Sequence, residues 1–255
     1  MPAIRALVAL LVAAVAASAA AAPPVVAAAS DLQFALADIA AAFRRDTGTE
    51  VRLAFGSSGN FRTQIAQGAP FELFLSADEA YVEALAAEGR TVDRGVRYAT
   101  GRVVLFAPSG SPLALDPKLA DVKAAASDGR LMRFAIANPE HAPYGRAARE
   151  ALQHFGAWDA VASRLVLGEN VSQAAQFATS GSAQGGIFAY SLALSPAVAG
   201  KGRYVLLPAE SHAPLHQRMV LVKGAGAAAR AFYAYLQQPA ARAVLSKYGF
   251  LLPDE

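Results

Sequence analysis

The chain has 255 residues, no cysteine and a formal net charge of +3, with 17% charged and 55% hydrophobic residues. Such a composition describes a globular chain with a large core and excludes disulfides, thiolate metal sites, cysteine nucleophiles and intrinsic disorder. Lys and Arg are scattered rather than clustered, so no nucleic-acid surface is expected.

In chain order, the first feature is a basic start followed by a small-residue apolar run. Arg5 is the only charge before residues 6–22, which close on Ala20-Ala21-Ala22. This is the pattern of a cleavable secretory signal peptide over residues 1–22. The run is short and Ala-rich for a spanning helix, and Pro23-Pro24 would stop one. With no cysteine to carry a lipid tether, an exported chain of this kind is expected free in the periplasm.

Roughly 230 residues then remain, enough for one large domain or two small ones. Short β-type runs alternate with longer Ala-rich helical ones. Strands are expected at 25–29, 51–55 and 72–75, each followed by a helix, over 32–43, 60–67 and 79–88. A composition change falls near Thr100. Beyond it strands are expected at 103–106, 133–137, 164–167 and 186–189, with helices over 145–155 and 172–179. Strands at 204–207 and 218–222 and helices at 228–237 and 239–247 complete the chain. This alternation predicts an α/β fold with mainly parallel sheets flanked by helices. Two lobes are favoured over one wide sheet, because the candidate site residues fall in two groups far apart in sequence and ligand sites prefer interdomain clefts.

Four strand-to-helix junctions share one chemistry. They are Ala29-Ser30-Asp31, Phe55-Gly56-Ser57-Ser58-Gly59-Asn60, Asn138-Pro139 through Tyr144-Gly145, and Gly168-Glu169-Asn170-Val171-Ser172. Each leaves backbone N–H groups without intrahelical acceptors where the helix dipole favours negative charge. Ser30 and Ser58 add hydroxyl donors. Each junction alone is better explained as a helix cap, so the junctions by themselves allow an anion site without requiring one.

Read together with Gly68-Ala-Pro-Phe-Glu-Leu-Phe-Leu-Ser-Ala-Asp78, Leu152-Gln-His-Phe-Gly-Ala-Trp-Asp159 and Tyr248-Gly-Phe250, these blocks resemble the periplasmic molybdate-binding proteins of ABC importers. The match runs in order over nearly the whole exported chain. The resemblance implies a two-lobed periplasmic binding protein fold of type II, with the ligand in the interlobe cleft. Crossings between lobes are expected near Thr100 and Arg203, giving lobe one as 25–100 plus 205–255 and lobe two as 101–204. It further implies that Ser30 and Ser58 donate from lobe one, and that Tyr144 and Val171 offer backbone N–H groups from lobe two. Many members carry a tyrosine after the Gly-Ile-Val run. Here Ala189 stands there and Tyr190 follows, so Tyr190 is the candidate fifth donor, turned to the other face by the one-residue shift. Asp31, beside Ser30, is expected to point to solvent, leaving no acceptor for a protonated oxyanion such as phosphate.

The function so implied is capture of molybdate, and tungstate comparably, by a monomer with no cofactor, no metal site and no catalytic residue, for delivery to a membrane permease. A receptor for sulfate or another tetrahedral oxyanion is the alternative within the class. An exported α/β hydrolase using Ser58, His141 and Asp78 and a signalling module that senses the anion are the rivals outside it.

Overall fold

A computed structural model describes residues 22–253. The expected signal peptide lies, but for Ala22, outside the described residues. No helix among the described residues is long and apolar enough to cross a membrane.

The first half-lobe runs β1 (Val25–Ala29), a 3-10 turn (Ser30–Leu32), α1 (Gln33–Thr47), β2 (Arg52–Gly56), α2 (Ser58–Ala66), β3 (Leu73–Ser76), α3 (Glu79–Ala87) and β4 (Val96–Gly101). The second lobe holds β5 (Val103–Pro108), α4 (Ala120–Asp128), β6 (Phe134–Ala137), α5 (Pro143–His154), α6 (Trp158–Val161), β7 (Leu165–Gly168), α7 (Val171–Thr179), β8 (Gly185–Ala189), α8 (Tyr190–Ala193) and β9 (Gly202–Leu206). The chain then returns with β10 (Leu215–Leu221), α9 (Ala227–Tyr235) and α10 (Pro239–Lys247).

Two five-stranded sheets result, in the orders β2-β1-β3-β10-β4 and β7-β6-β8-β5-β9. In each sheet four strands run one way. The single reversed strand is the one that enters just after a crossing, β10 in the first sheet and β5 in the second. The first crossing is the single residue Arg102, between β4 and β5. The second is displaced from the expected boundary at 204/205. Arg203 to Leu206 pair with Ala107 to Val104 as the edge of the second sheet, so the chain leaves that lobe only after Leu206.

Period-two patterning places the core of the first lobe on both faces of its sheet. Val26 and Ala28 of β1 pack with Leu73, Leu75 and Met219 under α1, α9 and α10, together with Leu36, Ile39, Phe43 and Phe232. Ala27, Phe74 and Val220 face the other way, onto Phe61, Ile65, Val82 and Leu85 of α2 and α3. The short Ala side chains of β1 let helices sit close on both sides of this central strand. The consequence for function is positional. The ends of β1, β2, β6 and β7 deliver their helices with N-termini facing one cleft, the usual place for a ligand in an open α/β sheet.

Candidate functional site

Each helix start at the cleft is built by local chemistry. Ser57 caps α2 by accepting from the Asn60 amide (3.4 Å). Asn170 caps α7 by accepting from the Gln173 amide (3.1 Å). Pro143 occupies the first turn of α5, where its missing N–H costs nothing. The amides of Ser58, Tyr144 and Val171 fall in first turns and so have no intrahelical acceptor.

These starts converge on a small, nearly filled cavity of about 10 Å3 lined from the first lobe by Ala29, Ser30, Asp31, Gly56, Ser57, Ser58 and Ala77, and from the second by Ala142, Pro143, Tyr144 and Val171. Four of the five residues singled out from the sequence, Ser30, Ser58, Tyr144 and Val171, therefore share one small chamber. Its lining contains no Lys, Arg or His. Ser58 is buried, and its Oγ accepts from the Ala77 amide (2.9 Å), which leaves its own proton free to donate. Ser30 Oγ accepts from the Ser172 amide (3.2 Å) and donates to Asn170 Oδ1 (3.1 Å), both on the opposite lobe.

The cleft is closed. Besides the Ser30 contacts, the Gly59 amide donates to the His141 carbonyl (3.0 Å) and Ser57 Oγ meets His141 Nδ1 (2.9 Å). Arg146 of α5 reaches Asp78 at the start of α3 (2.6 Å). Deeper in, Tyr144 Oη donates to Asp31 Oδ2 (3.0 Å).

A profile of the family described as bacterial extracellular solute-binding protein matches residues 24–251. The chain belongs to that family. Among its relatives, the molybdate-binding protein ModA of Rhodobacter capsulatus is 40% identical over 219 residues, covering 84% of this chain and 82% of the relative. Among solved structures, the periplasmic molybdate-binding protein of Azotobacter vinelandii superposes with a TM-score of 0.82 at 30% identity, covering 91% of this chain and 100% of that one. The sulfate-binding protein SubI of Mycobacterium tuberculosis superposes with a TM-score of 0.72 at 17% identity, covering 91% of this chain and 87% of that one, and shares the fold alone.

Within this solute-binding fold two expectations need correction. Tyr190 does not line the chamber. As the first residue of α8 it lies instead at the crossing, its ring 4.7 Å from the Arg102 guanidinium carbon and 5.7 Å from the Tyr204 ring. The one-residue offset from Ala189 carries the ring away from the cleft. Asp31 does not point to solvent either: it is 2% exposed and lines the chamber. The 3-10 turn that precedes α1 rotates it inward, onto Tyr144 and Gln217. Burial pushes its carboxyl up to about 6, against hydrogen bonds from Gln217 and Tyr144 that lower it. The nearby amides of Asp31 and Leu32 also lower it, though neither completes a hydrogen bond to Oδ1, which is buried without a partner. The chamber thus does contain an acceptor.

Sequence reasoning missed the residues behind this carboxylate. Gln217 Nε2 donates to Asp31 Oδ2 (2.6 Å), and Tyr98 Oη donates to Gln217 Oε1 (2.6 Å). Gln217 gave no local signal, since it stands between His216 and Arg218 in β10. Gly101 makes room for the cluster, since a Cβ there would collide with the Tyr144 hydroxyl. A Ser58–His141–Asp78 relay does not form: His141 bonds Ser57, and Asp78 is held by Arg146 and by the Ala80 amide (2.9 Å).

Proposed function

We propose that the chain is a periplasmic receptor that captures molybdate, with tungstate as a comparable ligand, and delivers it to the membrane permease of an ABC importer. It is a binding protein and not an enzyme. The observation that carries the reading is a small chamber between the closed lobes made of helix starts and serine hydroxyls, with no basic side chain in its lining and Asp31 as its one acid. A tetrahedral dianion matches that donor set. Neutral donors can hold it by number and still release it, whereas Arg or Lys would add charge-assisted strength with less discrimination. In this reading Ser58 donates from its free hydroxyl, Ser30 by turning its proton from Asn170 Oδ1 to the anion, and Tyr144 and Val171 from backbone amides. Each helix start adds its dipole. The likeness to molybdate-binding relatives over most of both chains selects molybdate over sulfate, for which the support is a likeness of fold alone.

Melting temperature measured with molybdate, tungstate, sulfate and phosphate in turn tests the proposal. A ligand at 100 times its dissociation constant adds about 2.7 kcal/mol, a shift of several degrees. A rise with molybdate and tungstate alone is expected, and Ser58→Ala should weaken molybdate binding by about 1–3 kcal/mol. A rise with sulfate alone would change the ligand, and no rise with any of the four would remove the anion reading.

A further inference from the structure

The carboxylate inside the chamber poses an electrostatic problem. A dianion held there lies beside Asp31, in a volume from which most water is excluded, and like charges in such surroundings repel strongly. The groups facing Asp31 do not relieve this. Gln217 of β10 and Tyr144 of α5 both donate to Oδ2, and Ser191 of α8 donates to the Asp31 carbonyl (2.8 Å). The titratable groups at hand are Tyr144 and Tyr98. Burial first, and the charge of Asp31 second, hold both phenols protonated, well above their usual range. Of the elements packed against the Ser30–Leu32 turn, α7 and α8 contain no Lys, Arg or His. The arginine of β2, Arg52, lies at the strand end remote from Gly56, and Arg44 and Arg45 of α1 lie in its last turn. In α5 and β10, which supply Tyr144 and Gln217, Arg146 pairs with Asp78, Arg149 with Glu140 and Arg218 with Glu79, His216 bonds Thr100, and His154 lies in the last turn of α5. Among the described residues no cation is paired with the carboxylate.

Oδ2 is saturated by two donors, while Oδ1 is buried with none. An unpartnered carboxylate oxygen beside an anion becomes a favourable contact when a proton lies between them. The hydrogen bond then runs from Oδ1–H to an oxygen of the anion, and the repulsion is replaced by an attraction.

We infer that anion capture by this chain is proton-linked, the chamber closing on the oxyanion together with one proton held on Asp31 Oδ1. The inference rests on the anion site proposed above. The balance is simple: one proton passes from solvent to the Asp31 carboxylate, the dianion enters from solvent, and no covalent bond of the anion changes. Because the carboxyl of the empty chamber titrates near 6, the proton must be taken up above that pH and is already in place below it. Asp31 is accordingly a specificity-determining residue. It ties affinity to pH, and it favours anions basic enough to accept its hydrogen bond.

Calorimetric titration of the protein with sodium molybdate, in two buffers of different ionisation enthalpy, reads the proton directly. At about pH 8, uptake approaching one proton per molybdate is expected, falling toward zero near pH 5, with Kd rising up to about tenfold per pH unit above the midpoint. Asp31→Asn should bind without proton uptake and with a Kd that stays flat across this range. Molybdate binding by the unmodified protein with no uptake at pH 8 and a flat Kd would overturn the inference while leaving the anion site standing. Proton uptake that persists in Asp31→Asn would overturn it too. The absence of molybdate binding at every pH would instead sink the anion site itself. The unmodified protein decides the question even if the variant fails to fold.

Discussion

At the residue scale, Asp31 has a second consequence, for stability. Its folded carboxyl titrates at about 6, above the ordinary value near 4, because burial penalises the charged form. A raised carboxyl means that the folded state binds the proton more tightly than the unfolded state. Stability is therefore full below about pH 4, declines as pH rises toward 6 and stays lower above it. A shift of about two units corresponds to about 3 kcal/mol at most. Asn in place of Asp31 keeps an oxygen for Gln217 and Tyr144 and removes the charge. Without ligand, Asp31→Asn should melt several degrees above the parent at pH 8, with the gap narrowing toward pH 4.5. Thermal unfolding at both pH values checks this, and equal gaps at both would show that the carboxylate is not strained by burial. Nothing in the sequence announced this burial. An acid directly after the capping serine of a helix reads as a solvated complement to the dipole. Only the inward turn of the 3-10 segment, set by the packing of Leu32 and the return of β10 with Gln217, reverses that.

At the element scale, the strand–helix alternation, the helix stops at glycine and the serine- and asparagine-capped starts were legible because they are local. Less so were β4, which carries Arg97 and Thr100 and gains its partner only when β10 returns from far along the chain, and α4, entered through Leu119 in a left-handed conformation. The second crossing was misplaced for a related reason. Tyr204 and Leu206 are exposed on an edge strand, and no local pattern tells which sheet such a strand joins. Tyr190 illustrates the same limit within the site, since its place at the crossing depends on Arg102 and Gly249 rather than on its own neighbours. What α2 does across the cleft can be tested through Gly59. A Cβ there would stand 2.7 Å from the His141 carbonyl oxygen of the other lobe, where the Gly59 amide now donates. Gly59→Ala should weaken molybdate binding by about 1–3 kcal/mol, because the overpacking it creates lies between the closed lobes. Calorimetric titration measures this, and unchanged affinity would show that closure does not bring these backbones together.

At the scale of the whole molecule, the bonds that join the lobes divide into those at the hinge and those across the mouth. At the hinge Arg102 donates to the Gly249 carbonyl (2.8 Å) and lies against the Tyr190 ring, next to the backbone pairing of Thr100 with Leu251 (2.7 and 3.0 Å) within the first lobe. These contacts stay close to the axis of any opening and would change little with it. The mouth is held by polar groups that need the lobes together, of which the Arg146–Asp78 pair carries the most charge. Asp78 is mostly buried while Arg146 is about one-third exposed, so the pair is worth about 1 kcal/mol rather than the larger value of a fully buried pair. An interaction made only after closure stabilises the bound state and leaves the encounter of anion and open cleft unaffected. Arg146→Met, which keeps the aliphatic stem and removes the charge, should therefore raise the molybdate dissociation rate about fivefold with an association rate close to the parent value, since variation within one interface falls mainly on dissociation. Rapid-mixing displacement kinetics measures both rates. A fall in the association rate with dissociation unchanged would place the arginine's role in drawing the anion toward the cleft instead of holding the closed lobes.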